Sequence, residues 1–95
     1  MAAYAIVDLE VFDIELYLRY SLAVRPLLEA AGARYLARGG QFLVLEGNYQ
    51  PSRLILVEFP SLACMQSFYE SESYQALEIQ RRECSRANIL GVEGL

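Results

Sequence analysis

Six consecutive residues, Leu54-Ile55-Leu56-Val57-Glu58-Phe59, limit what this chain can fold into more than any other stretch. In an extended strand, side chains alternate between faces, so Leu54, Leu56 and Glu58 share one face while Ile55, Val57 and Phe59 share the other. Neither set suits water, and a strand of this kind has to be covered on both sides. Pro60 ends it. Helices of the same chain can cover one side, and a second sheet packed face to face would cover the other.

The remaining elements follow from local signals. Ala3 to Val11 reads as a strand, with Ala5, Val7, Leu9 and Val11 on one face and Tyr4, Ile6, Asp8 and Glu10 on the other. Asp13 is placed to cap a helix that runs to about Ala31, because its carboxylate can accept from the unpaired N–H groups of the first turn. Gly32 stands where a left-handed C-cap is expected. Tyr17, Ser21, Val24, Leu28 and Ala31 recur at helical spacing, and Pro26 predicts a kink near Leu22 to Pro26. Ala33 to Ala37 and Phe42 to Glu46 read as strand segments around Gly39-Gly40, a pair that permits a tight turn or bulge. Ser61 caps the next helix, which carries Leu62, Met65, Phe68 and Tyr69 on one side. A further start at Ser71 or Ser73 breaks the last helical region in two, and Asn88 to Val92 forms a final strand. The order is β-α-β-β-α-β, the split βαβ arrangement, with helices on one face of an antiparallel sheet. Residues 1–95 are expected to form one ferredoxin-like α+β domain.

Composition narrows function chiefly by exclusion. The hydrophobic share of 55% is high for a chain of 95 residues. So small a domain has little interior, so part of that surface is expected to end in a subunit interface, with a homodimer as the default. Twelve acidic residues against eight basic ones, all arginine, give a net charge of −4. No basic stripe is present to neutralise phosphates, which argues against nucleic acid and equally against an anionic membrane surface. The first residues carry no positive segment ahead of an apolar stretch, and no apolar run has the length of a membrane span, so the expected compartment is the cytoplasm. Cys64 and Cys84 lie far apart in predicted helix and read as reduced, partly buried thiols.

With no histidine there is no Ser-His-Asp relay and no imidazole metal site, and with no lysine there is no Schiff base. Neither dinucleotide nor P-loop spacing occurs, and neither a cofactor nor a metal is expected. Any chemistry rests on carboxylates, tyrosines, arginines or a cysteine. The polar constellation singled out is Arg38, Glu58, Tyr69, Tyr74, Arg81 and Asn88. Arg38 beside Gly39 and Gly40 puts a guanidinium next to open backbone N–H groups, a bidentate clamp for a carboxylate. The competing reading pairs Arg38 with Glu46 or Glu58. Glu58 interrupts an apolar strand, so it either pairs with a cation or takes up a proton and becomes a candidate general acid or base. Tyr69 and Tyr74 flank the break between the last two helices and can wall a pocket, or serve simply as core and rim. Arg81 lies seven residues after Tyr74 and shares its helical face.

Read in order, Ala37-Arg38-Gly39-Gly40, Glu46-Gly47, Glu58-Phe59-Pro60-Ser61 and Tyr69 through Leu77 resemble the bacterial family called domain of unknown function 1330. That resemblance spans essentially the whole chain. It implies the ferredoxin-like fold and a homodimer whose two sheets form an α/β barrel, and it implies no catalytic residues. Two departures stand out: Tyr4-Ala5, where a bulky aromatic second residue is more usual, and the absence of lysine and histidine. Two function classes follow. One is a protein that binds a small carboxylate or aromatic acid, or a cofactor-independent enzyme, with its pocket between sheet and helices. The other is a non-catalytic dimerisation or accessory domain without a ligand. An apolar cavity with converging polar groups favours the first, and fully paired charges without a cavity favour the second.

Overall fold

The computed structural model describes all residues, 1–95. Its strands are β1 (Ala3–Val11), β2 (Arg34–Arg38), β3 (Leu54–Phe59) and β4 (Ser85–Glu93), and its helices are α1 (Ile14–Ala30), α2 (Leu62–Glu70) and α3 (Glu72–Cys84). The sheet order is β2-β3-β1-β4, and every neighbouring pair is antiparallel. This is the expected ferredoxin-like α+β arrangement, with β3 and β1 central and β2 and β4 at the edges.

Alternation in the strands decides which residues meet the helices. Ala3, Ala5, Val7 and Leu9 of β1 are buried together with Ile55, Val57 and Phe59 of β3, and the cross-strand register sets Ala5 beside Val57 and Val7 beside Ile55. Helix α1 contributes Tyr17, Tyr20, Val24 and Leu28 to the same core. Tyr20 thus takes the place on the buried stripe that spacing alone assigns to Ser21. Helix α1 continues through Pro26 as one element.

The helix termini are fixed by the polar residues that the sequence places there. Asp13 accepts from the Leu16 N–H, Ser61 accepts from the Cys64 N–H at 3.0 Å, and Gly32 leaves α1 with φ of +75°. Ser71 does two things at the break between α2 and α3. Its hydroxyl donates to the Phe68 carbonyl at 2.7 Å, ending α2, and accepts from the Tyr74 N–H at 3.2 Å, starting α3. A side chain that bonds both ways joins the two helices without a linker.

Two expectations need correction. Phe42 to Glu46 forms no strand; residues 39–53 connect β2 to β3 without regular structure. Gly39 turns the chain with φ of +70°, and the segment beyond it then lies away from the ladder, with Leu43 79% and Leu45 87% exposed. The segment returns through Asp8 on β1, which accepts from the Tyr49 hydroxyl and, at 3.0 Å, from the Ser52 N–H. The register shift in β2 falls between Tyr35 and Ala37, ahead of the glycine pair. The second correction concerns the cysteines: Cys84 is buried as expected, but Cys64 is exposed.

Candidate functional site

The space between sheet and helices is lined by Leu9 and Val7 of β1, Ile55 and Val57 of β3, and a ring of tyrosines from α1, β2, α2 and α3. Thirteen of its fourteen lining residues are hydrophobic or aromatic, and the remaining one is Arg81. The cavity volume is about 40 Å³, more than the roughly 10–15 Å³ that one ordered water needs but small for a whole ligand. Tyr69, Tyr74, Arg81 and Ile89 also line a wider cleft of about 480 Å³ on the β4 side. Arg81 therefore stands at the junction of cavity and cleft.

The α3 spacing puts Tyr74 and Arg81 on one face, and packing against α1 makes both buried, at 2% and 6% exposure. Tyr20 reaches across from α1, and its hydroxyl meets that of Tyr74 at 3.3 Å. Two hydroxyls sharing one hydrogen bond keep one proton undonated. Burial pushes the Tyr20 phenol far up, and the Tyr74 neighbour pushes it further. Tyr69 is raised by burial first and by Tyr74 second. Tyr20 and Tyr69 therefore stay protonated at physiological pH and can act as donors. Aromatic packing holds it in place: Phe68 and Tyr74 centroids are 5.0 Å apart, and Tyr69 meets Tyr74 edge to face at 4.9 Å.

Arg81 differs from the charged residues around it. Glu78 is paired with Arg82, one helical turn away, and no carboxylate forms an ion pair with Arg81. Its Nε is buried without a hydrogen-bond partner. Burial works against its charge, but the Tyr74 oxygen beside it, with Tyr20 and the more distant Glu78 carboxylate, outweighs that effect and raises its pKa, so the guanidinium stays charged. A buried cation that lacks a counter-charge is costly unless an anion joins it.

Of the residues singled out from the sequence, Tyr69, Tyr74 and Arg81 come together here. Arg38 ends β2 with its guanidinium 4.9 Å above the Tyr35 ring, and it lines a separate cleft with Arg25 and Arg34. Gly39 does face a guanidinium, that of Arg53: a Cβ at Gly39 would lie 2.6 Å from Arg53 Cζ. Gly40 stands in open space. Glu58 lies on the opposite face of the sheet and accepts from Arg34 Nε at 2.7 Å. Asn88, opposite Asp8 in the register, shares that face. Sequence reasoning missed Tyr17, Tyr20 and Arg53 as polar partners. Tyr20 lies one turn from Tyr17 and Val24 on the apolar stripe of α1, which is the signal that could have found it.

The sequence matches the family described as domain of unknown function (DUF1330) over residues 2–95. The chain belongs to this DUF1330 family. No curated protein matches it. Among solved structures, it is similar to a protein of unknown function from Rhodopseudomonas palustris, with 16% identity, a TM-score of 0.77 and coverage of 99% of this chain and 82% of the other. It is also similar to a dimeric ferredoxin-like protein of unknown function from Jannaschia sp., at 12% identity and a TM-score of 0.71, covering 99% of this chain and all of the other. A putative antibiotic biosynthesis monooxygenase from Nitrosomonas europaea is similar at 16% identity and a TM-score of 0.58, covering 99% and 90% of the two chains. At such identities the likeness establishes the ferredoxin-like fold. No helix of this DUF1330 protein is long and apolar enough to cross a membrane.

Proposed function

We propose that this DUF1330 protein binds a small carboxylic or aromatic acid between its sheet and helices, with the acid's anionic head on Arg81 and Tyr74. The observation that carries this reading is the buried Arg81 guanidinium, in no ion pair and with its Nε unpartnered, at the mouth of a tyrosine-lined cavity. A carboxylate would take the place of the missing counter-charge and accept the free phenolic proton, two charge-assisted bonds in a low-dielectric site. The enclosed cavity accepts only a small group, and the body of the acid occupies the adjoining cleft. Glu58, on the far side of the sheet, has no part in this binding.

The open sheet face, with Tyr4, Ile6, Leu54, Leu56, Leu90 and Val92, is the surface this reading assigns to a second copy of the chain. Support comes from its apolar character and from the dimeric neighbour of the same fold. A second reading, a cofactor-independent enzyme acting on the bound acid, is favoured by the monooxygenase among the structural neighbours. The ligand-free accessory domain is the rival that needs Arg81 to be paired.

The test is thermal unfolding with a panel of aliphatic and aromatic monoacids, on the parent and on Arg81→Met. An acid at 100 times its dissociation constant adds about 2.7 kcal/mol. Stabilisation of the parent that disappears in Arg81→Met is the expected result. No stabilisation by any acid would favour the accessory domain.

A further inference from the structure

We infer that the bound acid is a zwitterion, an α-amino acid with an apolar side chain, whose ammonium group is held by Glu78 while its carboxylate lies on Arg81 and Tyr74. This rests on the acid-binding reading above and adds the substrate class.

Tyr74, Glu78 and Arg81 recur at i, i+4 and i+7 on α3, so they share one face of the helix, and all three line the cleft on the β4 side. Along the helix axis Glu78 stands about 6 Å beyond Tyr74 and about 4.5 Å short of Arg81. A carboxylate bonded to both Tyr74 and Arg81 is therefore set down beside another carboxylate. The ion pair between Glu78 and Arg82 does not use up that charge. It engages Oε1 and leaves Oε2 for a further donor, and the Arg82 side chain is 72% exposed where that of Glu78 is 22% exposed. The carboxylate is the inner partner, and the arginine lies toward solvent.

A simple acid entering this cleft meets like charge, which opposes its binding. An acid that brings a positive donor beside its carboxylate turns the same residue into a partner, and an α-amino acid carries both groups on one carbon. Side chains three residues apart on a helix are neighbours, so Glu78 and Arg81 can engage groups that close together.

The rest of the cleft is apolar. Ala87, Ile89 and Gly91 alternate along β4 and line it from the sheet, and the Met65 thioether rests directly on the Gly91 backbone. Charge thus runs along α3, and apolar surface faces it from β4 and α2. An α-amino acid laid across the cleft matches both, with its charged groups on α3 and its side chain toward Met65 and Ile89. The cleft volume of about 480 Å³ suits the whole molecule, whereas the cavity of about 40 Å³ does not.

The experiment compares L-phenylalanine and L-leucine with 3-phenylpropanoate and 4-methylpentanoate, the same skeletons without the ammonium group. Calorimetric titration is run on the parent and on Glu78→Met, Arg82→Gln and Arg81→Met, each checked for folding by circular dichroism. The parent should bind at least one amino acid about tenfold or more tightly than its counterpart, the effect of one charge-assisted bond. Glu78→Met should bring that ratio to about one or below by weakening the amino acid alone. Arg82→Gln breaks the same ion pair but keeps the carboxylate, so the preference should persist, and Arg81→Met should weaken all four ligands. A parent that binds the simple acids as tightly as the amino acids, or a preference that survives Glu78→Met, would overturn the zwitterion inference. The acid-binding reading would still stand if Arg81→Met abolished binding of the simple acids. Failure of all four to bind the folded parent would overturn both.

Discussion

The two faces of the sheet are built from the same strands yet solve opposite problems. On the helix side, Phe59, Val57 and Ile55 alternate inward and are nearly inaccessible, packed on α1 and α2. On the other side, Leu54, Leu56 and Glu58 of the same strand stay partly exposed, flanked by Ile6, Leu90 and Val92. One face is complete within a single chain, and the other is apolar without a cover. Stability should therefore respond to the first face and association to the second.

The largest effect should come from the covered face. Phe59 is fully buried against Phe68 and Tyr69, with ring centroids 5.4 and 6.0 Å away. Phe59→Ala is expected to cost about 3–5 kcal/mol, a large part of the stability of a domain this size. Denaturant unfolding measures it; a loss below about 1 kcal/mol would mean that the core does not close around this ring.

Alkaline pH probes the same side through its phenols. Tyr17, Tyr20 and Tyr69 have pKa values raised above their ordinary 10.0 by burial. In the unfolded chain these groups ionise near pH 10, whereas in the folded chain they stay protonated. The stability they contribute is therefore full below about pH 10 and falls as pH rises beyond it. Urea midpoints between about pH 8 and 11 should decline, and Tyr20→Phe should flatten the decline. An unchanged slope in that variant would place Tyr20 in contact with water.

On the open face, Leu56 lies between Ile6 and Ala37 in the register. Leu56→Asp should leave the monomer folded and dissociate a dimer, as seen by sedimentation equilibrium at micromolar concentration. A parent that is monomeric at the same concentration would break the comparison.

The fold was legible because its signals are local: the period-two pattern of β1 and β3, and the caps at Asp13, Ser61 and Ser71. The site was legible only where one helix carries it. Tyr74 and Arg81 share a face of α3, so spacing alone places them together. Arg53 follows Pro51-Ser52, and nothing in its neighbours along the chain marks it; its guanidinium is covered by Gly39, fourteen residues earlier, coming alongside. Phe42 to Glu46 has strand composition but no ladder to join, because the turn at Gly39 and the ties to Asp8 direct the chain elsewhere. Non-local approach is what a pattern along the chain does not encode.

Gly39 offers a graded test of that point. Gly39→Ala incurs a left-handed backbone cost of about 1–2 kcal/mol, and the overlap with Arg53 is relieved by moving that flexible side chain. Unfolding should show the backbone cost.

The smallest change is expected at Glu58, and it separates the faces most cleanly. Its partner Arg34 has a side chain 71% exposed, so the pair is worth about 0.2–1 kcal/mol in the monomer. Glu58→Gln should thus shift stability by less than about 1 kcal/mol. Because Glu58 faces away from the cavity, acid affinity should be unchanged. If a second copy covers the open face, the same substitution leaves Arg34 desolvated without a counter-charge, and the dimer should weaken more than the monomer. A variant that lost acid binding while keeping its dimer would move the ligand to the open face and reverse the roles assigned to the two sides of the sheet.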